Sequence, residues 1–492
     1  MTVSLYCEPA RLYEQVHDLV RIFFPGVGVV RWSGGQESAV DIVLCQQRCG
    51  SSLHLEGSVE DGAAARGSSR MHDVPPGPHA AGEVLRLTRM FLFELLSACV
   101  PQQVHPYGIL TGMRPTKLVH RWLDEGMGAA EASGRLQREH AVHPKQAHFL
   151  VQVALAEREV LAQASFRDVS VYIGIPFCPS RCSYCSFPAA VVRDYQEQVL
   201  PFLDGLLWEM EQVGRALQEQ GRRVHCLYVG GGTPTILQPA DLERMASLLR
   251  RYFLPTVTGE FTVEAGRPDT LDAAKVALLA DMGVSRVSVN PQTMHQQTLD
   301  AIGRGHTVAQ VLEAVRMLRA AGIPALNMDL IVGLPGESPQ HCERSLRQVL
   351  EAGPENVTIH ALARKRGSPM AERHTGCWPP ADSLRAMEAA QRLHGLLAEA
   401  GYAPYYTYRQ KQAVGGLENT GYARPGHICA YNVLMIEERQ SMVGMGGAAA
   451  CKFVDPVTLT LTRMFNPKHP PAYLAALPRL VGAKVDKLRA LI

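Results

Sequence analysis

Three cysteines lie close together in the first half of the 492-residue chain. Cys178, Cys182 and Cys185 have the spacing Cys-x3-Cys-x2-Cys, and they follow the apolar run 169–175, which is typical of a β-strand. A loop after a strand lets three sulfur atoms converge on one inorganic cube, whereas helical spacing would spread them. A [4Fe–4S] cluster normally has four thiolate ligands, so three cysteines would leave one iron open for chemistry.

A zinc site with a distant fourth ligand is the alternative interpretation of these cysteines. Zinc sites favour paired Cys-x2-Cys motifs, and the sequence contains no second pair of that kind. The other cysteines are scattered, and each is interpreted as a small buried hydrophobic residue. Cys45 and Cys49 repeat the four-residue offset of the first pair, but they have no third partner. The sequence therefore favours a cluster at Cys178, Cys182 and Cys185.

Composition sets limits on the class of protein. Apolar residues make up 46% and charged residues 20% of the chain, which is usual for a soluble globular protein. A formal net charge of +2 gives no reason to expect nucleic-acid binding. The segment 1–14 does not resemble a secretory signal, and the apolar run 90–100 is too short for a membrane span. We therefore expect a cytoplasmic protein without a membrane span, in which cysteines stay reduced.

Alternating apolar strands and amphipathic helices surround the cysteines and must position them. The predicted strands are Val169–Ile175, Val224–Val229, Glu260–Ala265, Ser285–Asn290, Ala325–Val332 and Asn356–Leu362. Helical patterns separate them, which is the signature of a parallel sheet or partial barrel. Active sites in such folds gather at the carboxyl ends of the strands.

The pattern divides the chain into three predicted domains. Residues 1–165 form an N-terminal α+β extension, in which the Gly-, Ala-, Ser- and Pro-rich segment Gly57–Gly82 predicts a mobile loop. Residues 166–377 form the α/β barrel. Residues 378–492 begin with a long predicted helix and form a C-terminal α+β domain that covers the substrate.

The cysteine segment resembles a known motif. Cys-x3-Cys-x2-Cys with the aromatic Tyr184 before the last cysteine is the motif of radical S-adenosylmethionine (radical SAM) enzymes. Tyr172-x5-Cys178, with the sequence Ile-Pro-Phe-Cys, is similar to oxygen-independent coproporphyrinogen III oxidases (dehydrogenases) and their heme-chaperone relatives. The N-terminal extension, with its segment 108–117, resembles the longer variant from Gram-positive bacteria. The resemblance implies a partial (β/α)6 radical SAM barrel.

The resemblance also implies which residues contact S-adenosylmethionine. Glycines such as Gly231 and Gly232 let the backbone approach a ligand closely. A fixed cation can hold the cofactor's carboxylate, and carboxylate or amide oxygens can accept hydrogen bonds from its ribose. The matching positions are Tyr172, Tyr184, Gly231, Gly232, Thr233, Glu264, Gln292, Arg304, Asp329, Ala363 and Ala450.

Two positions depart from the pattern of many coproporphyrinogen oxidases. Phe187 stands where many of them have a further cysteine, and Gly174 stands where many relatives have histidine. Three cysteines suffice for a cluster, so Phe187 does not affect the cluster prediction. The heme-chaperone branch also has an aromatic residue at this position, and this keeps the chaperone function open.

The reaction implied is the anaerobic oxidative decarboxylation of coproporphyrinogen III propionates to vinyl groups, which gives protoporphyrinogen IX. This substrate carries four carboxylates, so we expect cations at the site, and Arg364, Lys365 and Arg366 follow the sixth strand. A reducing partner such as flavodoxin or ferredoxin is implied, with one or two molecules of S-adenosylmethionine per chain. The alternatives are a heme chaperone, a radical methyltransferase acting on a porphyrin or heterocycle, and an electron-transfer protein, which the open iron site disfavours.

Overall fold

The protein is described here by a computed structural model. It describes residues 2–24, 27–32, 38–62, 64–100, 105–186, 190–365, 367–373, 378–458 and 460–491. The chain divides into two compact units. One consists of Met1–Ala154 with Thr375–Leu384, and the other of Leu155–His374 with Arg385–Ile492. The division into three domains made from the sequence stays a prediction.

The first unit begins with a mixed sheet and two helices. Its elements are β1 (Thr2–Glu8), α1 (Leu12–Phe23), β2 (Gly28–Arg31), β3 (Val40–Cys49), β4 (Ser52–Glu60), β5 (Ala65–Asp73) and α2 (Ala80–Cys99). The strand order is β2-β1-β3-β4-β5, with β1 parallel to both its neighbours and the β3–β4–β5 pairs antiparallel. Leu19 of α1, Leu55 of β4 and Phe91 of α2 lie in one apolar core.

The predicted mobile loop Gly57–Gly82 is wrong. The strand β4 continues to Glu60, and β5 pairs with it from Ala65 to Asp73. Most of β5 is exposed, so its sequence shows no alternation of apolar and polar residues. The strand is held by its hydrogen-bond ladder to β4, which composition does not reveal.

Three helices follow, and the last of them leads into the second unit. They are α3 (Thr116–Asp124), α4 (Ala129–His140) and α5 (Pro144–Leu161). Trp122, Leu136 and Leu150, one from each helix, are buried in a second apolar cluster of the first unit.

The second unit contains the predicted barrel. Its elements are β6 (Val169–Ile175), β7 (Phe177–Cys178), β8 (Ala190–Val191), α6 (Val192–Glu219), β9 (Val224–Gly231), α7 (Pro239–Tyr252), β10 (Val257–Glu264), α8 (Ala273–Asp281), β11 (Arg286–Ser288), α9 (Gln296–Ala301), α10 (Val308–Ala320), β12 (Ala325–Val332), α11 (Pro339–Glu351) and β13 (Asn356–Ala361). The strands β6, β9, β10, β11, β12 and β13 are parallel neighbours in this order. The partial barrel is therefore confirmed.

Alternation along each strand separates the apolar wall from the polar interior. In β12, Leu326, Met328 and Leu330 pack in the main apolar core. The residues between them face the other side of the sheet, because successive side chains of a strand point to opposite faces. Asn327 there donates to Ser288 Oγ at 3.0 Å and to Asp329 Oδ1 at 2.8 Å. Polar groups thus line the inside of the barrel.

The remaining elements are helices and strands, and these strands extend the sheet on both sides. They are α12 (Pro369–Arg373), α13 (Pro380–Glu399), β14 (Ala403–Arg409), β15 (Glu418–Ala423), α14 (Ala430–Glu437), β16 (Ser441–Gly446), β17 (Ala450–Val454), β18 (Leu461–Phe465) and α15 (Pro470–Arg489). Among the described residues, the sheet has the order β14-β15-β13-β12-β11-β10-β9-β6-β16-β17-β18. The first barrel strand β6 is therefore paired in parallel with β16, in a register from Ser441↔Val169 to Gly446↔Gly174.

Two buried contacts fix the later elements to the barrel. The Tyr431 N–H at the start of α14 donates to Glu260 Oε1 at 2.8 Å, near the amino end of β10. Glu209 of α6 accepts the Gly446 N–H at 2.8 Å and forms a buried ion pair with Lys484 of α15. Among the described helices, none combines the length and the apolar character that a membrane crossing requires.

Candidate active site

The three predicted cluster cysteines share one loop after β6. Cys178 ends β7, and the loop continues through Cys182 to Cys185, with none of the three cysteines in a disulfide. The Ser183 N–H donates to Ile302 O at 2.9 Å, and the Cys185 N–H donates to Cys182 O at 3.2 Å. Hydrogen bonds between main-chain groups therefore fix the loop without using the cysteine side chains.

A glycine turn at the carboxyl end of β9 lies directly against this loop. The Gly232 N–H donates to Ile175 O at 2.7 Å, and the Thr233 N–H donates to Phe177 O at 2.8 Å. Gly231 has a backbone φ of 114°, a conformation that residues with a Cβ rarely adopt. A Cβ on Gly232 would lie 3.0 Å from Cys178 Sγ. The glycines are thus needed for the close approach of the turn to the first cysteine.

Thr233 also contacts the first cysteine through its side chain. Its Oγ1 lies 3.4 Å from Cys178 Sγ. Burial raises the pKa of Cys178 to about 11, and the contact with Thr233 acts against this shift. Since thiolates bind metals, binding of a cation or cluster would have to displace the Cys178 proton.

Arg304 reaches the second cysteine from the turn after α9. Its Nη1 lies 3.7 Å from Cys182 Sγ and 3.3 Å from the Tyr184 hydroxyl. Its Nη2 donates to the carbonyl oxygens of Gly266 and Asn290. Arg304 is 7% exposed, so the guanidinium is a fixed, buried cation beside the cysteine loop.

Two carboxylates lie on the barrel strands β10 and β12, and their surroundings differ. Glu264, at the end of β10, accepts from the Tyr228 hydroxyl at 2.6 Å and from the Gly231 N–H at 3.2 Å. Burial raises the pKa of Glu264 to about 7, although these two donors act against the shift. For Asp329 on β12, burial also favours the neutral form, but His360 and Asn327 outweigh it and lower the pKa.

His360 is a residue of this site that the sequence analysis missed. Its Nε2 lies 3.5 Å from Asp329 Oδ2, and its Nδ1 lies 3.3 Å from Asn419 Oδ1. Asn419 Oδ1 already accepts the Ala361 N–H at 3.0 Å, so His360 Nδ1 must be the donor in their contact. His360 occupies the same face of β13 as Thr358, and this alternation was the available signal.

Buried polar atoms without partners mark the space between these groups. Within the part of the chain that the structure describes, Asn290 Oδ1, Gln292 Oε1 and Arg304 Nε are buried without a hydrogen-bond partner. Gln292 also has φ 69°, a conformation that is costly for a residue other than glycine. Buried polar groups normally find partners, so the three atoms indicate a polar ligand.

The remaining predicted cofactor contacts lie in different places. Tyr172 stacks with Tyr228 and Tyr431 at ring distances of 6.1 and 6.2 Å, and Tyr184 contacts Arg304. Ala363 follows β13 and forms an isolated bridge with Ala413. Ala450 begins β17, and its backbone packs against Gly444, the strand neighbour of Tyr172.

The predicted substrate cations lie on a segment tied to the cysteine loop. Arg181 of the loop donates to Gly367 O at 2.7 Å, and the Met370 N–H donates to Ser183 O at 2.8 Å. Burial lowers the pKa of Lys365 while Cys185 acts against this shift, so the ammonium is within electrostatic reach of the third cysteine. Arg364 lies beside it in sequence. Arg366 and Phe187 lie outside the described residues.

Comparison with known proteins identifies the family. The model of the radical SAM superfamily matches residues 172–349. The chain is 33% identical to the oxygen-independent coproporphyrinogen-III oxidase-like protein HemZ of Bacillus subtilis, over 97% of this chain and 96% of that protein. The chain belongs to this radical SAM family.

Two further proteins are similar over shorter stretches. The heme chaperone HemW of Haemophilus influenzae is 28% identical over 62% of this chain and 76% of that protein. The solved structure of the radical SAM enzyme coproporphyrinogen III oxidase (HemN) from Escherichia coli is 23% identical, with a TM-score of 0.51. The match covers 67% of this chain and 73% of the chain in that structure, and it shows a shared fold.

Radical SAM proteins use a [4Fe–4S] cluster and S-adenosylmethionine, and the residues of this site fit both groups. The cysteine loop offers three thiols that form no disulfide, beside a glycine turn with no side chain to obstruct them. The neighbouring strand ends offer a buried guanidinium, two carboxylates and the unpartnered amide oxygens. These are the donor and acceptor types that S-adenosylmethionine requires, because it carries an amino-acid group and a ribose.

Proposed function

We propose that this protein is a radical SAM oxidoreductase that converts propionate side chains of coproporphyrinogen III to vinyl groups. The observation that carries this proposal is the segment with Arg364 and Lys365, which is hydrogen-bonded to the cysteine loop. A substrate with four carboxylates needs cations next to the place where its C–H bond reacts. The HemZ protein, similar over nearly the full length, is named for its likeness to oxidases of this substrate.

In this proposal the cofactors are held by the residues grouped at the strand ends. Cys178, Cys182 and Cys185 would bind the cluster. The Gly231–Thr233 backbone, Glu264, Gln292, Arg304 and Asp329 would bind S-adenosylmethionine, with Tyr172, Tyr184, Ala363 and Ala450 as further contacts. When bound, the two groups together supply one-electron chemistry that can remove a hydrogen atom from an unactivated carbon.

The chain's own residues orient the substrate and the cofactor. The cations Arg364 and Lys365 would bind propionate carboxylates. They would thereby hold the β-carbon of a propionate at a fixed distance from the cofactor. His360 donates toward Asn419 and faces Asp329, which fixes that carboxylate for a ribose hydroxyl. The stacked Tyr172, Tyr228 and Tyr431 form an apolar wall that excludes water.

The stoichiometry requires partners. Each conversion of a propionate to a vinyl group releases CO2, one hydrogen atom and one electron, so the electron needs an acceptor. Flavodoxin or ferredoxin as reductant, a second S-adenosylmethionine per chain and a cytoplasmic location stay predictions.

A heme chaperone is the second candidate function. The similarity to HemW, at 28% identity over 62% of the chain, supports it. A chaperone of this fold would bind heme and pass it on without releasing CO2. The two candidates differ in product, so one assay can separate them.

The test is anaerobic turnover of the full chain with reconstituted cluster, dithionite, S-adenosylmethionine, coproporphyrinogen III and an electron acceptor. Mass spectrometry measures protoporphyrinogen, the monovinyl intermediate and 5′-deoxyadenosine. We expect decarboxylated product in proportion to deoxyadenosine, and none with Cys182→Ala. Tight heme binding without either product would favour the chaperone, and deoxyadenosine without decarboxylated product would point to another substrate.

A further inference from the structure

A buried arginine behind the cysteine loop has no role in the function proposed above. Arg267 follows β10, and its side chain is only 3% exposed. Its Nε and Nη2 each donate to one oxygen of Asp269 at 3.1 Å. Its Nη1 donates to Ser180 Oγ at 2.9 Å. All the nitrogen atoms of the guanidinium are therefore engaged, and two of its three contacts go to one carboxylate.

Ser180 connects this arginine to the cysteines. It lies between Cys178 and Cys182, and its hydroxyl donates to Gly303 O at 3.0 Å. The same hydroxyl thus accepts from Arg267 and donates to the turn that carries Arg304. The Ser180 side chain thus connects the loop to Arg267 and to the backbone of Gly303, the residue before Arg304.

Two buried arginines next to the loop differ in their partners. Arg304 contacts Cys182 Sγ, while Arg267 is paired with Asp269. His306 is fully buried with its Nδ1 at 3.8 Å from Asp269 Oδ1, and burial lowers the pKa of His306 to about 3, so it is neutral. Arg267 and Asp269 therefore form a nearly neutral pair, in which loss of either member leaves one buried charge near the loop.

We propose that Arg267 is a positioning residue for the cysteine loop, acting through Ser180, and that its pairing with Asp269 prevents either buried charge from shifting the reduction potential of the cluster. The inference rests on the proposed cluster at Cys178, Cys182 and Cys185. A nearby cation stabilises the more negative, reduced cluster and raises its potential, whereas a carboxylate lowers it. Net charge and hydrogen bonding around the cluster are known determinants of such potentials.

The test measures the potential in the full chain, reconstituted anaerobically and without S-adenosylmethionine, by a redox titration followed by electron paramagnetic resonance. Arg267→Met should lower the potential, Asp269→Asn should raise it, and the double variant should return close to wild type. A unit charge within about 12 Å, at an effective dielectric constant of about 20, changes the ratio of reduced to oxidised cluster about tenfold. This corresponds to about 59 mV for a one-electron couple.

Two further variants separate position from charge. Ser180→Ala removes the link without changing charge, so the cluster should be lost faster to a chelator while its potential stays near wild type. Arg250→Met is the matched control, because Arg250 also pairs with carboxylates but lies on the exposed side of α7. It should change neither quantity.

Specific outcomes would overturn the inference. One such outcome is that Arg267→Met and Asp269→Asn keep their full iron content and have equal reduction potentials, or potentials shifted in the same direction. Arg267 would then be a purely structural residue. If Arg267→Met loses its cluster, Asp269→Asn must still shift the potential upward, and a missing shift overturns the assignment. Unchanged cluster retention in Ser180→Ala would remove the positioning role. A wild-type chain that holds no iron would instead refute the cluster site itself.

Discussion

Two pairs of cysteines with the same four-residue offset have different surroundings. Cys45 and Cys49 lie in β3, where the backbone is paired with β4 opposite Glu56 and Ser52. A strand rises about 3.4 Å per residue, so their Cα atoms are about 14 Å apart. Cys178 is the last residue of the two-residue strand β7, and after it the chain leaves the ladder and turns through Cys182 to Cys185. The difference shows that spacing predicts a metal site only where the backbone can bring the thiols together.

The largest expected effect tests this comparison directly. Replacing Cys182 by Ala, or either of its two loop partners, should abolish the cluster, because two thiolates cannot hold it. Cys45→Ala and Cys49→Ala should leave about four irons and four sulfides per chain. Iron and sulfide analysis after anaerobic reconstitution measures the result. Loss of the cluster in Cys45→Ala would break the comparison, and bound zinc in place of iron would correct the metal.

The second prediction changes the backbone next to the loop and leaves the thiols intact. In Gly232→Ala the new methyl group would lie 2.5 Å from Phe177 O and 3.0 Å from Cys178 Sγ. The turn cannot move freely, so most of the bound iron should be lost. Gly67→Ala in β5 is the control, because its methyl group would meet nothing closer than Gly57 O at 3.8 Å. Equal iron contents in the two variants would contradict the need for a close turn.

The third prediction concerns affinity for S-adenosylmethionine. Arg304→Lys keeps the charge but loses the planar fork, and Asp329→Asn loses the carboxylate. A lost charge-assisted hydrogen bond costs roughly 1.5–3 kcal/mol, so the dissociation constant should rise about ten- to a hundredfold. Equilibrium binding to cluster-loaded protein measures it, with Arg250→Ala as the control. Wild-type affinity in both variants would remove these residues from the cofactor site.

The smallest expected effect lies at the substrate cations. Arg364→Gln and Lys365→Gln should each raise KM for coproporphyrinogen III about fivefold, since a partly solvated ion pair is worth about 1 kcal/mol. Uncoupled cleavage of S-adenosylmethionine should not change, because only substrate binding is affected. Arg347→Gln on the exposed side of α11 serves as control. An unchanged KM in both variants would move the carboxylate site elsewhere.

The barrel could be predicted from the sequence because its strands are buried. In the runs 169–175 and 325–332 every second residue is apolar, and most residues are buried, as expected for strands that pack one face against a helix-covered core. The edge strand β5 could not be predicted in this way. Its residues are mostly exposed, and only its pairing with β4 identifies it as a strand.

The site was predictable to the extent that its residues are close in sequence. The sequence groups Cys178, Cys182 and Cys185 as candidate ligands because one loop carries them. His360 and Asn419 are 59 residues apart, and Arg267 and Ser180 are 87 residues apart. No spacing or periodicity connects such pairs, because the topology of the barrel brings them together. Contacts between side chains that are distant in sequence are therefore harder to predict from the sequence than candidate ligands that lie in one loop.

The pairing of β6 with β16 has a consequence for synthesis on the ribosome. Ser441, which pairs with Val169, follows it by about 270 residues. At about 5–20 residues per second, the ribosome needs roughly 14–54 s to deliver this neighbour. Until then one edge of β6, next to the cysteine loop, has open N–H and C=O groups that can pair with other chains. We therefore expect the growing chain to need chaperone protection and to receive its iron only after release.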